Sequence, residues 1–159
     1  MLLIRVAEPG DVPLILSLIR DLAEYEKLSS ACVATEDQLH ATLFGPRPYA
    51  ETLIAEWNGE PAGLALFFHN YSTFLARPGI YLEDLFVKPA LRGHGIGKAL
   101  LARLAQLAEE RGCGRIEWSV LNWNEPAIGF YRSLGAAPQN EWTVYRMTGE
   151  AIARLARES

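Results

Sequence analysis

The apolar positions change their period along the chain, and the changes mark its elements. Residues 2–7 form an apolar run that reads as a strand closed by Glu8-Pro9-Gly10. Ile15, Leu18, Ile19 and Leu22 then fall on one helical face, with Arg20, Asp21 and Glu24 off it. This predicts an amphipathic helix capped by Asp11, with Pro13 in its first turn, running into Tyr25-Glu26-Lys27. Thr35-Glu36-Asp37-Gln38 is a capping-box pattern opening a short helix to about Phe44, which Gly45-Pro46-Arg47-Pro48 ends. Two strand-like runs, residues 49–57 and 61–69, flank Asn58-Gly59, a strong hairpin signal. After a polar and aromatic loop at 70–79, a third run covers 81–87. Ile96, Leu100, Leu101, Leu104 and Leu107 restore the helical period over 95–110, and Gly112 stops it. A strand at 115–121, a helix at 125–134 with Pro126 in its first turn, a last strand at 141–147 and a tail helix at 149–157 complete the reading. The order βααβββαβαβ, with no repeat or linker, predicts one α/β domain over residues 1–159 with a mixed sheet.

Composition narrows the class of protein. At 159 residues, half of them hydrophobic and 21% charged, the chain suits one globular core. A net charge of −4 leaves no basic surplus to neutralise phosphates, so no nucleic-acid partner is expected. Cys32 and Cys113 have neither CxxC nor ligand spacing and read as free thiols in a reducing cytosol. His40, His69 and His94 lack ligand-like spacing, and no metal is expected. The opening run Met-Leu-Leu-Ile-Arg-Val is too short for a signal peptide, and no stretch reaches the roughly 18 apolar residues that span a bilayer. The expectation is a soluble cytoplasmic protein with no membrane partner.

The candidate chemistry centres on Gly93, Gly95 and Gly97, which lead into the long helix. A glycine-rich turn at a helix start gathers unpaired N–H groups at the positive end of the helix dipole, where phosphates bind. A P-loop fails on spacing: only three residues separate Gly93 from Gly97-Lys98, and Ala99 stands where a hydroxyl is needed. A dinucleotide fingerprint fails as well, since Lys98 or Leu100 occupies its last position. Arg92-Gly93-His94-Gly95-Ile96-Gly97 fits Arg/Gln-x-x-Gly-x-Gly/Ala. It resembles the acetyl-CoA pyrophosphate loop of the GCN5-related N-acetyltransferases (GNAT). Tyr81-Leu82-Glu83-Asp84-Leu85-Phe86-Val87, Trp123-Asn124-Glu125-Pro126-Ala127-Ile128-Gly129-Phe130-Tyr131, Gly135-Ala136 and Leu22-Ala23-Glu24-Tyr25-Glu26 are similar to the diamine branch of that superfamily, the spermidine/spermine and thialysine N-acetyltransferases.

The resemblance implies a GNAT fold, a mixed and mostly antiparallel twisted sheet flanked by helices. It also implies direct acetyl transfer from acetyl-CoA to a primary amine in a ternary complex, by a homodimer. The backbone of Leu85, Phe86 and Val87 would follow the pantetheine arm, with an N–H near Val87 polarising the thioester carbonyl. Arg92, Gly93, His94, Gly95, Ile96, Gly97 and Lys98 would hold the pyrophosphate. Asn124, Pro126 and Ala127 would lie near the cofactor, and Tyr131 near its sulfur. An ammonium has no lone pair until a base takes its proton, and a departing thiolate (pKa about 8.5 for a cysteine-like thiol) gains from a proton donor. Glu83, directly or through a water, is the candidate base and Tyr131 the candidate acid. Strand alternation sends one of Glu83 and Asp84 inward and the other outward, and either could instead hold a distant positive charge on the substrate or form a structural ion pair. Tyr25 and Glu26 resemble amine-site residues of the branch. Trp142 either walls the amine channel or packs in the last strand. Pro138-Gln139-Asn140-Glu141 is shorter and less acidic than the branch's usual stretch, which bears on polyamine specificity. Two alternatives stand beside a diamine, polyamine or thialysine acceptor: another acceptor (amino acid, aminoglycoside-type drug or protein lysine), or a non-catalytic acyl-CoA sensor on the same scaffold.

Overall fold

The computed structural model describes residues 1–158 and divides into two compact units, Met1–Ser119 and the part from Val120 onward. The first unit holds β1 (Leu2–Val6), α1 (Val12–Tyr25), α2 (Glu36–Leu43), β2 (Glu51–Trp57), β3 (Glu60–Ser72), β4 (Arg77–Val87), α3 (Ile96–Glu110) and β5 (Ile116–Trp118). The strands form one sheet in the order β1-β2-β3-β4-β5. Pairing is antiparallel from β1 to β4 and parallel between β4 and β5. A parallel partner needs a crossover, and α3 supplies it.

Helices cover both faces of the sheet because its apolar residues alternate to both sides. On one face Ile15, Leu16, Leu18 and Leu22 of α1 and Leu39 and Leu43 of α2 pack with Ile54, Leu64, Leu66 and Phe86. On the other, α3 lies over β3 and β4 with Ile96, Leu100, Leu104 and Leu107 buried, near Phe67 and Leu82 of the sheet. Each such leucine or isoleucine contributes about 1.5–3 kcal/mol by leaving water, so the two helical stripes account for the packing.

Local signals set several boundaries. Asn58 and Gly59 take φ of 52° and 84°, the two positive values of the tight turn that matches strand twist. Thr35 Oγ1 accepts from the Gln38 N–H at 3.2 Å, and Gln38 Oε1 accepts from the Thr35 N–H at 3.0 Å, closing the expected capping box. Asp11 behaves differently from its expected role: its carboxylate makes no cap bond to α1. It accepts instead from the Glu8 N–H (2.7 Å) and pairs with Arg5 (2.7 and 2.9 Å), whose Nε also reaches Glu56. The charge of Arg5 wins the carboxylate and holds its pKa below the usual range.

Three other expectations change. The loop placed at 70–79 is mostly strand, because β3 and β4 run on to a turn at 73–76 with Ala76 at φ 53°. An antiparallel hairpin tolerates the polar residues and Pro78 of this stretch at a solvent-facing end. The strand expected at 115–121 shrinks to three residues, for a reason that lies in β4. The second unit contains α4 (Glu125–Ser133) and α5 (Gly149–Ala156), and the strand expected at 141–147 does not form. An apolar alternation becomes a strand only by pairing, and no described strand pairs with this segment.

Candidate active site

The glycine loop meets the demands of an anion site. Gly93 and Gly95 lie at φ 87° and 76°, a conformation that costs an L-residue about 1–2 kcal/mol. This left-handed bend turns successive amides the same way at the start of the 15-residue α3. Among the described residues, the N–H groups from Gly93 to Lys98 have no hydrogen-bond acceptor; the first N–H of this stretch to find one is Ala99, on Gly95 O at 3.0 Å. His94 and Lys98 are exposed. The His94 ring stacks on Trp57 at the end of β2 (centroids 4.7 Å apart, planes 25°), which ties the loop to the sheet. Free donors, a helix dipole and a nearby cation fit a pyrophosphate.

Arg92 stands apart from the rest of its motif. Its N–H bonds Pro89 O at 3.3 Å, and its Nε donates to Val87 O at 3.2 Å. Its guanidinium carbon lies 4.6 Å from the Tyr25 ring centroid and 5.9 Å from that of Phe86.

The strand that precedes the loop carries an irregularity where chemistry was expected. Leu66 of β3 pairs with Asp84, but its neighbour Phe67 pairs with Leu82, so Glu83 is an extra residue without a partner. Such a bulge bends its strand and increases local twist. The β4–β5 ladder runs only from Ile80↔Ile116 to Leu82↔Trp118 and stops at that bend, which is why β5 is short. From Glu83 to Val87, β4 pairs with β3 alone among the described strands, so its other edge has no strand partner. Apart from Val87 O, which accepts from Arg92 Nε, the backbone groups of Leu85 and Val87 on that edge have no strand partner, and an extended amide-bearing arm could satisfy them.

The bulge also decides the two carboxylates. Simple alternation does not hold across it. Asp84 shares the face of Leu66 and Phe86, toward α1, and is mostly buried, whereas Glu83 is exposed. Asp84 lines an open cleft of about 210 Å³ with Ile19, Leu22, Ala23 and Glu26 of the α1 end and Leu28, Ala31 and Cys32 beyond it. Burial first, then the charges of Glu83 and Glu26, push the Asp84 carboxyl up to about 6. Burial also raises Glu26. Two poorly solvated carboxylates thus share an otherwise apolar cleft, an environment that attracts a cation attached to a hydrocarbon arm.

Chain reversal after α1 builds the near wall of this cleft. Leu28 N–H reaches Ala23 O (2.8 Å) and Lys27 N–H reaches Glu24 O (3.0 Å), with Lys27 at φ 61°. This is a helix-ending motif that usually employs glycine. It folds Leu28, Ala31 and Cys32 back over Ile19 and Ala23. None of these five is among the site residues the sequence offers; the signal lies in their proximity to Tyr25-Glu26.

The remaining candidates belong to the second unit. Asn124 is buried and caps α4, its side chain accepting from the Ala127 N–H at 3.4 Å, and Pro126 occupies the first turn. Tyr131 is half-buried in the same helix, its ring 5.8 Å from that of Phe130. Trp142 is 79% exposed and does not pack in a strand.

Comparison with known proteins agrees with this geometry. The Acetyltransferase (GNAT) family model matches residues 17–136. A thialysine N-epsilon-acetyltransferase of Bos taurus is 42% identical, with 97% of this chain and 96% of that protein aligned. The L-ornithine N5-acetyltransferase NATA1 of Arabidopsis thaliana is 35% identical over 96% of this chain and 86% of its own length. Among solved structures, an integron cassette protein of V. cholerae superposes with a TM-score of 0.83 at 25% identity, covering 99% of this chain and 98% of that one. The chain belongs to the GNAT family and is an N-acetyltransferase. Within that family it falls in the branch of the thialysine and spermidine/spermine enzymes.

Proposed function

We propose that the protein transfers the acetyl group of acetyl-CoA to the terminal amine of a small acceptor that carries a second charge, such as thialysine, ornithine or a short diamine. The observation that carries this reading is the cleft with Glu26 and Asp84. Its apolar walls suit a short aliphatic or thioether arm, and its carboxylates suit ammonium groups. The names of the thialysine and ornithine relatives lie in the same direction.

In this reading Asp84, rather than Glu83, takes the proton from the incoming ammonium. A carboxyl near 6 is ionised at neutral pH yet far more basic than a solvated aspartate. The freed amine attacks the thioester carbonyl carbon, a C–N bond forms and the C–S bond breaks. The sulfur leaves as thiolate and, by the resemblance, takes a proton from Tyr131, while the nitrogen of the new C–N bond gives up its second proton to water and the tyrosine hydroxyl is restored from solvent. The amides from Gly93 to Lys98 bind the pyrophosphate, and the open β4 edge orients the pantetheine amides. By the resemblance the enzyme works as a cytoplasmic homodimer. The test is CoA-thiol release from acetyl-CoA with thialysine, ornithine, lysine, putrescine, spermidine, spermine and a histone-tail peptide. Preferred turnover of a small two-charge amine is expected. Binding of acetyl-CoA without turnover of any of them would overturn the acceptor assignment in favour of an acyl-CoA sensor.

A further inference from the structure

The arginine that opens the glycine motif does not face the amides that follow it. Its N–H and Nε are held by Pro89 O and Val87 O, and its guanidinium lies over Tyr25, the last residue of α1, and close to Phe86. Tyr25 and Phe86 flank the cleft carboxylates in sequence: Glu26 follows Tyr25 directly, and Asp84 precedes Phe86 by two positions on the same strand face. We propose that Arg92 is a positioning residue for the acceptor cleft and not a phosphate ligand, holding the end of α1 against β4 so that Glu26 and Asp84 face one another across a fixed distance.

The physical case has three parts. A cation over a tyrosine face gains from the ring quadrupole, and more so when the ring is half-buried, as Tyr25 is. The guanidinium plane spans α1, β4 and the loop through one side chain, which a lysine point charge does less well. The α1 end also needs an external hold. Its last turn reverses through Lys27 at φ 61°, a strained position for a residue with a Cβ, and α1 has no basic residue in its last turn to complement the dipole. Arg92 brings a positive charge there from another element. The consequence is coupling. The loop that receives the cofactor and the cleft that receives the amine are joined by one side chain, so the acceptor site is assembled only when the loop is in place.

The inference rests on the cleft being the acceptor site, and its test separates the two. Arg92→Met keeps the aliphatic stem and removes the cation; Tyr25→Leu removes the ring; the double variant closes the cycle. For Arg92→Met the acceptor KM is expected to rise about 2- to 5-fold, in line with a cation–π contact from an exposed guanidinium, while CoA affinity measured by calorimetry stays unchanged. Arg92→Lys should recover part of the loss. The double variant should lose less than the sum of the two single losses, because both remove the contact they share. A tenfold loss of CoA affinity with an unchanged acceptor KM would overturn the proposal and return Arg92 to the phosphates, as would additive losses in the double variant. Amide exchange gives a readout that needs no acceptor. The Glu26 and Leu28 N–H groups, bonded to Leu22 O and Ala23 O, should exchange faster in Arg92→Met, and unchanged exchange would overturn the proposal even if the acceptor is misassigned.

Discussion

Asp84 makes a claim about pH that can be checked on stability as well as on rate. Its carboxyl sits at about 6 in the folded protein against 3.8 for an ordinary aspartate, from burial and the nearby charges of Glu83 and Glu26. The folded state therefore holds this proton more tightly than the unfolded chain does. Stability from this group is complete below about pH 4 and is lost as pH rises through 6; above that the ionised cleft is under constant strain. Asp84→Asn should stabilise the protein at pH 7.5 by up to about 3 kcal/mol, since 2.2 units at 1.36 kcal/mol each set the ceiling, and should change it little at pH 4. Denaturant unfolding at the two pH values decides this, and equal stabilisation at both would mean the carboxylate carries no such burden. The same variant should lose the acidic limb of the kcat/KM profile near pH 6 along with most of its turnover. Stability given up at one residue in exchange for basicity is a usual feature of catalytic carboxylates.

At the level of elements, the glycine loop and the start of α3 form one device, and Gly95 is its pivot. A valine there would have to adopt φ near 76°, and the loop would move to relieve it. Gly95→Val should lower CoA affinity at least tenfold while far-UV circular dichroism still reports the folded sheet and helices. Retained affinity would remove the loop from the cofactor site. Elements of this kind were legible in the sequence because their causes are local: Asn58-Gly59 determines its own turn, Thr35 and Gln38 cap each other, and three glycines before an apolar period mark a left-handed bend at a helix start. The bulge at Glu83 was not legible. It arises from the register between β3 and β4, and a single strand read alone has no register, so the sequence showed that one of Glu83 and Asp84 turns inward but not which. The direction of the Arg92 side chain is also a tertiary outcome, decided by Tyr25, which is far away in sequence. The strand expected at 141–147 failed for a related reason: Trp142, Val144 and Tyr145 have the composition of a strand, and all three are exposed without a ladder.

For the molecule as a whole, the open side of β4 has a consequence for solution behaviour. Backbone groups from Glu83 to Val87 that lack a neighbouring strand are a template on which another extended chain can add, and a second copy of the protein is the most abundant candidate in a concentrated sample. The bend at Glu83 limits the length of such a template without removing it. A ligand that lies along this edge acts as a chemical cap against self-association. Coenzyme A should therefore raise the temperature at which light scattering begins by more than it raises the unfolding midpoint, whereas Gly95→Val, unable to retain the ligand, should show neither shift. Equal shifts of both in the unaltered protein would mean that the ligand merely stabilises the fold. A larger shift in scattering would make the cofactor a guard of colloidal stability, so that depletion of the acetyl donor would threaten the enzyme's solubility as well as its turnover.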